Sequence, residues 1–183
     1  MTWTLDPAHS AVTFSAKHMM ITTVRGAVAI RDFDLDFDPQ DLEQSSVRVS
    51  LDAASIDTGQ EARDQHLRSA DFLETETHPT IDFASSRIES AADRYRIHGD
   101  LTIRSVTRPV VLDAEFAGTV PNMQGGTRAA FSARAKISRD DFGLNWNVAL
   151  EQGGWLVSKD IKIEIDIAAV AETASSKSDK AAA

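Results

Sequence analysis

Asp6, His9 and Ser10 stand together near the start of the chain, and by type they are an acid, a base and a nucleophile. A hydrolase would use such a set to move the serine proton onto an imidazole oriented by the carboxylate. The spacing works against that role, because adjacent residues on an extended chain point to opposite faces and His9 would not meet Ser10. A second polar set, Arg63, Asp64 and His66, lies in a stretch poor in β-branched residues. On a helix, Arg63 and His66 fall one turn apart and could together meet a polar or anionic head group. Arg63 and Asp64 could equally tie that helix to neighbouring strand ends. Arg139, Asp140 and Asp141 carry the same two alternatives. His18, His78 and His98 complete the five histidines, and no pair has His-x-x-x-His spacing or the carboxylate company that zinc needs. Asp32, Asp34, Asp36 and Asp38 alternate with apolar residues along a strand and lack the loop that wraps calcium. There is no cysteine, which removes disulfides, thiolate catalysis, zinc–thiolate sites and cysteine-held iron–sulfur clusters. The polar residues therefore assign no catalytic group, no metal and no cofactor.

The chain that must position these residues has 183 of them, enough for one domain. Its formal net charge of −9 argues against DNA, RNA or an anionic membrane surface as partner. Apolar residues make up 42%, but aromatic ones are few: 8 Phe, 3 Trp and 1 Tyr. No run approaches the roughly 20 uninterrupted apolar residues of a membrane-spanning helix. Residues 1–7 lack the basic and apolar regions of a signal peptide, so the expectation is a soluble, cytoplasmic protein or a mature form whose leader is missing.

Period-two alternation dominates the chain. Phe33, Leu35 and Phe37 alternate with aspartates; Tyr95, Ile97, Gly99, Leu101 and Ile103 alternate with Arg96, His98, Asp100 and Thr102. Ile161, Ile163, Ile165 and Ile167 repeat the pattern near the end. These are half-buried strands of a clean antiparallel type. Two stretches break it. Residues 60–73 read as a short helix with Thr58 as N-cap and Glu61 completing a capping box. Residues 140–154 fit a strand, a turn of helix or a lid. From Glu172 onward the chain is Thr, Ala, Ser, Lys and Asp with nothing to pack, and 171–183 read as a disordered tail behind a 1–170 domain. Strands of roughly nine to eleven residues are long for a sandwich, where five or six is usual. The fold class is therefore all-β: a single antiparallel barrel of about eight strands with a short helix.

Too few aromatic residues are present to ring two membrane interfaces, so the apolar face points inward. The lumen candidates are then Phe14, Ala16, Phe83, Leu101, Ile103, Leu112, Phe116, Ala129, Phe131, Ala133 and Trp146, with Arg63 and His66 at its mouth. The small side chains of Ala129, Ala133 and Ala135, flanking Phe131, leave space that a long apolar molecule would fill. The competing reading is that opposing Phe and Ile side chains fill it.

Six blocks in register resemble one family. They are Trp3 to Phe14; Val24-Arg25-Gly26; Ala54 to Gly59 with Arg63 to Leu73; His78-Pro79-Thr80-Ile81-Asp82-Phe83; Gly99-Asp100-Leu101-Thr102-Ile103 through Val110; and Ser138-Arg139-Asp140-Asp141-Phe142-Gly143. The chain resembles the YceI-like, polyisoprenoid-binding proteins over residues 3–167. That resemblance implies a lipocalin-like barrel and a non-catalytic carrier of a long isoprenoid, an isoprenoid quinone or a similar amphiphile. Ser105 stands where the family usually places a turn glycine, which is harmless only if that residue keeps φ negative. Many relatives are exported. The rival functions are a packed barrel that forms a homodimer through its long strands and, last, a hydrolase of lipid-like substrates using Asp6, His9, Arg63 or His66.

Overall fold

The computed structural model describes residues 3–123 and 125–171. Ten strands follow in chain order: β1 (Trp3–Leu5), β2 (Ala11–His18), β3 (Thr22–Val28), β4 (Ile30–Asp36), β5 (Ser46–Asp52), β6 (Thr80–Ala91), β7 (Arg94–Ile103), β8 (Val106–Pro121), β9 (Thr127–Ser138) and β10 (Asp160–Ala171). One α-helix among the described residues, α1 (Glu61–Arg68), interrupts them. The hydrogen-bonded path runs β3-β2-β10-β9-β8-β7-β6-β5-β4, with every pair antiparallel.

The two ends of that path, β3 and β4, follow one another in the chain with only Ala29 between them. β1 and β2 likewise lie end to end along β10, pairing with Ala169–Ala171 and Lys162–Asp166 respectively. The sheet thus curls into a barrel of eight staves, two of them broken, which makes ten strands. Each break has a local cause. At the first, Pro7 removes a ladder donor and the Asp6 carboxylate turns the chain by accepting from Ala8 N–H. At the second, Ala29 N–H donates to Ser55 Oγ at 2.7 Å instead of to a strand. Ala27 and Asp57 then exchange both backbone hydrogen bonds across the seam.

Inside, the alternation is realised residue by residue, with Leu101, Ile103, Leu112, Ala114 and Ala133 buried. Two glycines act as seats for rings. A Cβ on Gly26 would lie 2.5 Å from Phe14 Cζ, and one on Gly99 2.5 Å from Phe83 Cζ. One end of the barrel is plugged by Trp3, Phe37, Phe116 and Phe131, with Phe37 meeting the other three edge-on at 4.9–5.3 Å between centroids. Trp3 Nε1 donates to Phe37 O at 3.0 Å, so the plug's one indole donor is satisfied.

Several expectations need correction. Trp3–Leu5 is too short to show alternation, and it is a strand because β10 offers it a free edge. The helix covers 61–68 rather than 60–73, and Thr58 does not cap it. Gln60 is the N-cap without a side-chain bond, while Thr58 N–H and Oγ1 both donate to the buried Asp64. Of the alternatives for residues 140–154 the strand does not form: a 3-10 turn over Arg139–Phe142 supplies the turn of helix and leads into irregular chain. Ala171 belongs to β10, opposite Thr127 and Trp3, so the domain is longer than 1–170. Residues 172–183 of the expected tail lie outside the described residues.

The β7–β8 turn has just two residues between the paired Ile103 and Val106, and both have positive φ: Arg104 at 49° and Ser105 at 64°. This geometry suits a type I′ hairpin, which favours Asn-Gly, so Ser105 sits where its Cβ is strained. Its hydroxyl meets His78 Nδ1 at 3.1 Å on the exposed side and offsets part of that strain. Ser105→Gly is expected to stabilise the fold by about 0.5–1 kcal/mol, read as a higher urea midpoint at unchanged slope. A lower midpoint would show that the His78 contact outweighs the strain.

Asp6 pins the broken first stave. Its carboxylate contacts His9 Nδ1 at 2.9 Å and Arg128 at 2.8 Å. Burial pushes the Asp6 carboxyl upward, but the His9 hydrogen bond, the His9 and Arg128 charges and the Ala8 N–H outweigh it and hold the value below the ordinary 3.8. A carboxyl depressed on folding contributes stability that is present above its unfolded value and lost as pH falls through the folded one. Acidification below the usual carboxylate range should therefore loosen β1 first. Amide exchange at Trp3–Leu5 followed down in pH reads this out. In Asp6→Asn the acid-linked step should disappear.

Candidate functional site

The barrel encloses a cavity of about 840 Å3. Phe14, Ala16, Phe83, Leu101, Ile103, Leu112, Phe116, Phe131 and Ala133, expected in the lumen from alternation, all face it, as do Trp146 and the mouth candidates Arg63 and His66. Ala129 does not. It lies on the same face of β9 as Phe131 but one step nearer the plug, where Trp3, Phe37, Ala169 and Ala171 bury it completely. Side chains therefore fill only one end of the lumen. Above the plug the walls are Ile, Leu, Val, Phe and Ala from nine strands, and the small Ala16, Ala114, Ala133 and Ala135 keep the space open.

The other end is covered by α1 and by the irregular segment 143–158. His66 holds the two together. Its ring meets Trp146 edge-on at 4.5 Å and Phe72 edge-on at 5.0 Å, and its Nε2 contacts Asp71 Oδ2 at 2.8 Å. Arg63 is committed as well: Nε donates to Thr58 Oγ1 at 2.7 Å and an Nη to Thr58 O at 2.9 Å. Thr58 is thus clamped between Arg63 and Asp64, and this lashes the loop after β5 onto the helix. Arg63 and His66 thus tie the helix to its surroundings, and both also line the cavity. Lys17, Gln60 and Ala62 line the cavity yet are exposed, which places an opening between the end of β2 and the start of α1.

Among the described residues Arg139 and Asp64 are the two buried charges, each 3% exposed, and Arg139 also reaches the cavity wall. The Arg139 guanidinium donates to four carbonyls of the covering segment: Leu144, Trp146 at 2.8 Å, Val157 at 3.5 Å and Ser158 at 3.0 Å. Burial pushes its pKa down from arginine's ordinary value, while the neighbouring Asp140 charge works the other way. Arginine starts so high that it stays charged under all ordinary conditions. Asp140 is instead engaged by Lys159 at 2.8 Å. Asn147 repeats the stapling, accepting from the N–H groups of Val148 and Val157 and donating to Val157 O.

The remaining polar candidates do not converge. Asp6 and His9 meet each other, but Ser10 Oγ is bonded to the backbone of Ala168 on β10, and none of the three lines the cavity. Among the described residues no three His, Asp or Glu side chains come together as a cation site would require. Alternation marks Phe37, which completes the floor, but it could not find Phe72 or Leu156, which complete the cover. Phe37 continues the Phe33, Leu35 face. Phe72 and Leu156 lie in irregular chain with no period to read.

A sequence model of the YceI-like domain matches residues 3–169. The UPF0312 protein of Staphylococcus aureus strain MSSA476 is 34% identical over 163 residues, covering 88% of this chain and 93% of its own. A UPF0312 protein of Staphylococcus epidermidis is 37% identical over 160 residues, covering 87% and 91%. Among solved structures, the Campylobacter jejuni YceI protein superposes with a TM-score of 0.72 at 30% identity, covering 86% of this chain and 90% of that one. A polyisoprenoid binding domain from Saccharophagus degradans shares the fold at 13% identity, with a TM-score of 0.65 and coverage of 93% and 99%. By sequence along nearly its whole barrel, the chain belongs to the YceI-like family.

Proposed function

We propose that the protein is a non-catalytic carrier that holds one long apolar molecule, an isoprenoid chain or a comparable amphiphile, inside the barrel. The observation that carries this reading is the cavity of about 840 Å3 behind almost entirely apolar walls. Such a volume lies within the usual range of small-molecule sites, about 300–1,000 Å3. An empty apolar space of that size would be costly, whereas an apolar chain returns roughly 0.8 kcal/mol for each CH2 removed from water. The name of the structurally similar Saccharophagus degradans domain supports the isoprenoid class. The rival packed barrel is disfavoured by the same cavity, and the hydrolase by the separation of Ser10 from His9.

A polar end of the ligand would lie under α1 near His66 and Trp146, where the wall turns from aliphatic to aromatic and hydrogen-bonding. Titration of the delipidated protein with a fluorescent long-chain apolar probe tests the reading. Saturation at one probe per chain, reversed by competing prenyl chains, is the expected result. Failure to saturate, or equal competition by short polar alcohols, would overturn it.

A further inference from the structure

Single apolar side chains on a surface need no explanation, but here five gather on one rim. Met20 is 64% exposed, Ile21 82% and Trp155 52%, with Met19 and Val148 beside them. They come from two segments that the backbone ties together. Met19 N–H donates to Leu156 O at 2.8 Å and Leu156 N–H to Val148 O at 2.9 Å. Met20 Sδ lies so close over Gly154 that a Cβ there would be 2.2 Å from it. The residues flanking these tips, His18 on one segment and Leu156 and Val157 on the other, line the cavity. The patch is therefore the lip of the cavity's covered end.

The lip is held out deliberately. Met19 and Met20 have φ of 51° and 68°, a conformation that Gly or Asn adopts far more easily. Strain that keeps two methionines at a solvent-exposed tip is an outlier that points to use. The charge around it differs from the rest of the molecule. In a chain of net charge −9, residues 7–31 contain no Asp or Glu, and Lys17 and Arg25 share the outer face of the β2–β3 hairpin. In the covering segment 142–158 the only charged side chain is Glu151, and Asp57 pairs through its backbone with Ala27 of the hairpin. The whole-chain sum, which argues against an anionic surface, hides this acid-poor end.

We propose that the Met19–Ile21 tip, with Val148 and Trp155, inserts into the interface of a bilayer containing anionic lipids and so sets the cavity mouth on the membrane. This rests on the carrier reading: a chain that loses roughly 0.8 kcal/mol per CH2 on entering water exchanges fastest where an apolar path joins bilayer and cavity. Lys17 and Arg25 face the lipid head groups, and the acidic remainder of the surface turns the barrel end-on by repulsion.

The test uses the full chain and its Met20→Ser/Ile21→Ser variant. Co-sedimentation is measured with vesicles of phosphatidylcholine alone and of phosphatidylcholine with phosphatidylglycerol. Uptake of the fluorescent apolar probe is measured in parallel, once from those vesicles and once from cyclodextrin in solution. The parent should bind the anionic vesicles better than the neutral ones, and less well as salt rises. The variant should lose binding and vesicle-to-protein transfer by about tenfold or more, with uptake from cyclodextrin unchanged. Equal vesicle binding by the two proteins, or none by either, would overturn the proposal. So would a parent that dimerises through this lip, with the variant monomeric and no vesicle binding by either. Loss of cyclodextrin uptake in the parent would instead strike the carrier reading.

Discussion

Arg139→Met is expected to lower stability by about 3 kcal/mol and to free the segment 143–158 from the barrel. Four carbonyls, those of Leu144, Trp146, Val157 and Ser158, share this one guanidinium. Hydrogen bonds from a charged donor are worth roughly 1.5–3 kcal/mol each, and losing the donor strands acceptors that irregular chain cannot pair elsewhere. Relief from burying a charge returns several kcal/mol, so the net loss is smaller than the sum. Methionine keeps most of the volume, which separates the lost hydrogen bonds from a packing defect. Urea unfolding gives the global effect, and limited proteolysis within 143–158 gives the local one. Lysine at this position should rescue little, because a compact ammonium cannot reach carbonyls spread as a fork reaches them. Unchanged stability with an intact covering segment would mean that Asn147 and the Leu156–Val148 bond suffice.

Ala135→Trp is expected to reduce bound apolar ligand by about tenfold or more while leaving the ligand-free protein as stable as its parent, or more so. Ala135 faces the cavity from β9 opposite Ile163, and its neighbours along that face are the small Ala133 and the ring of Phe131. A large side chain there enters open space instead of a packed layer, so overpacking strain is limited. The measurement is moles of extractable ligand per mole of purified protein, set beside the unfolding midpoint. Unchanged ligand content with a correctly folded barrel would move the binding site out of the lumen. A large loss of stability would mean that the cavity closes in solution.

Much of this was legible because strands with one wet face write their structure into every second residue. Tyr95 to Ile103 and Ile161 to Ile167 revealed both their conformation and the face that lines the cavity. The shared space of Ala133 and Ala135 could be read from the small side chains alone. Tertiary partners decided what could not be read. Ala129 has the same pattern as Ala133, and only the arrival of Trp3 and Phe37 from far away in the chain makes it part of a plug. Thr58 and Glu61 carry a capping signature, but Asp64 took Thr58 because burying that carboxylate required both donors. The segment after Phe142 has no period because a single side chain, Arg139, holds its backbone in place of a ladder. Ser105 gave a conditional warning, and its φ of 64° met the condition.

The carrier reading requires a lumen occupied by one long apolar molecule per chain. Native mass spectrometry of the protein as first purified, before and after organic extraction, addresses it directly. A single adduct per chain should be present before extraction and absent after it, with the same mass recovered in the organic phase as a long-chain apolar amphiphile. A spectrum at the bare polypeptide mass in both samples, from repeated preparations, would contradict the account.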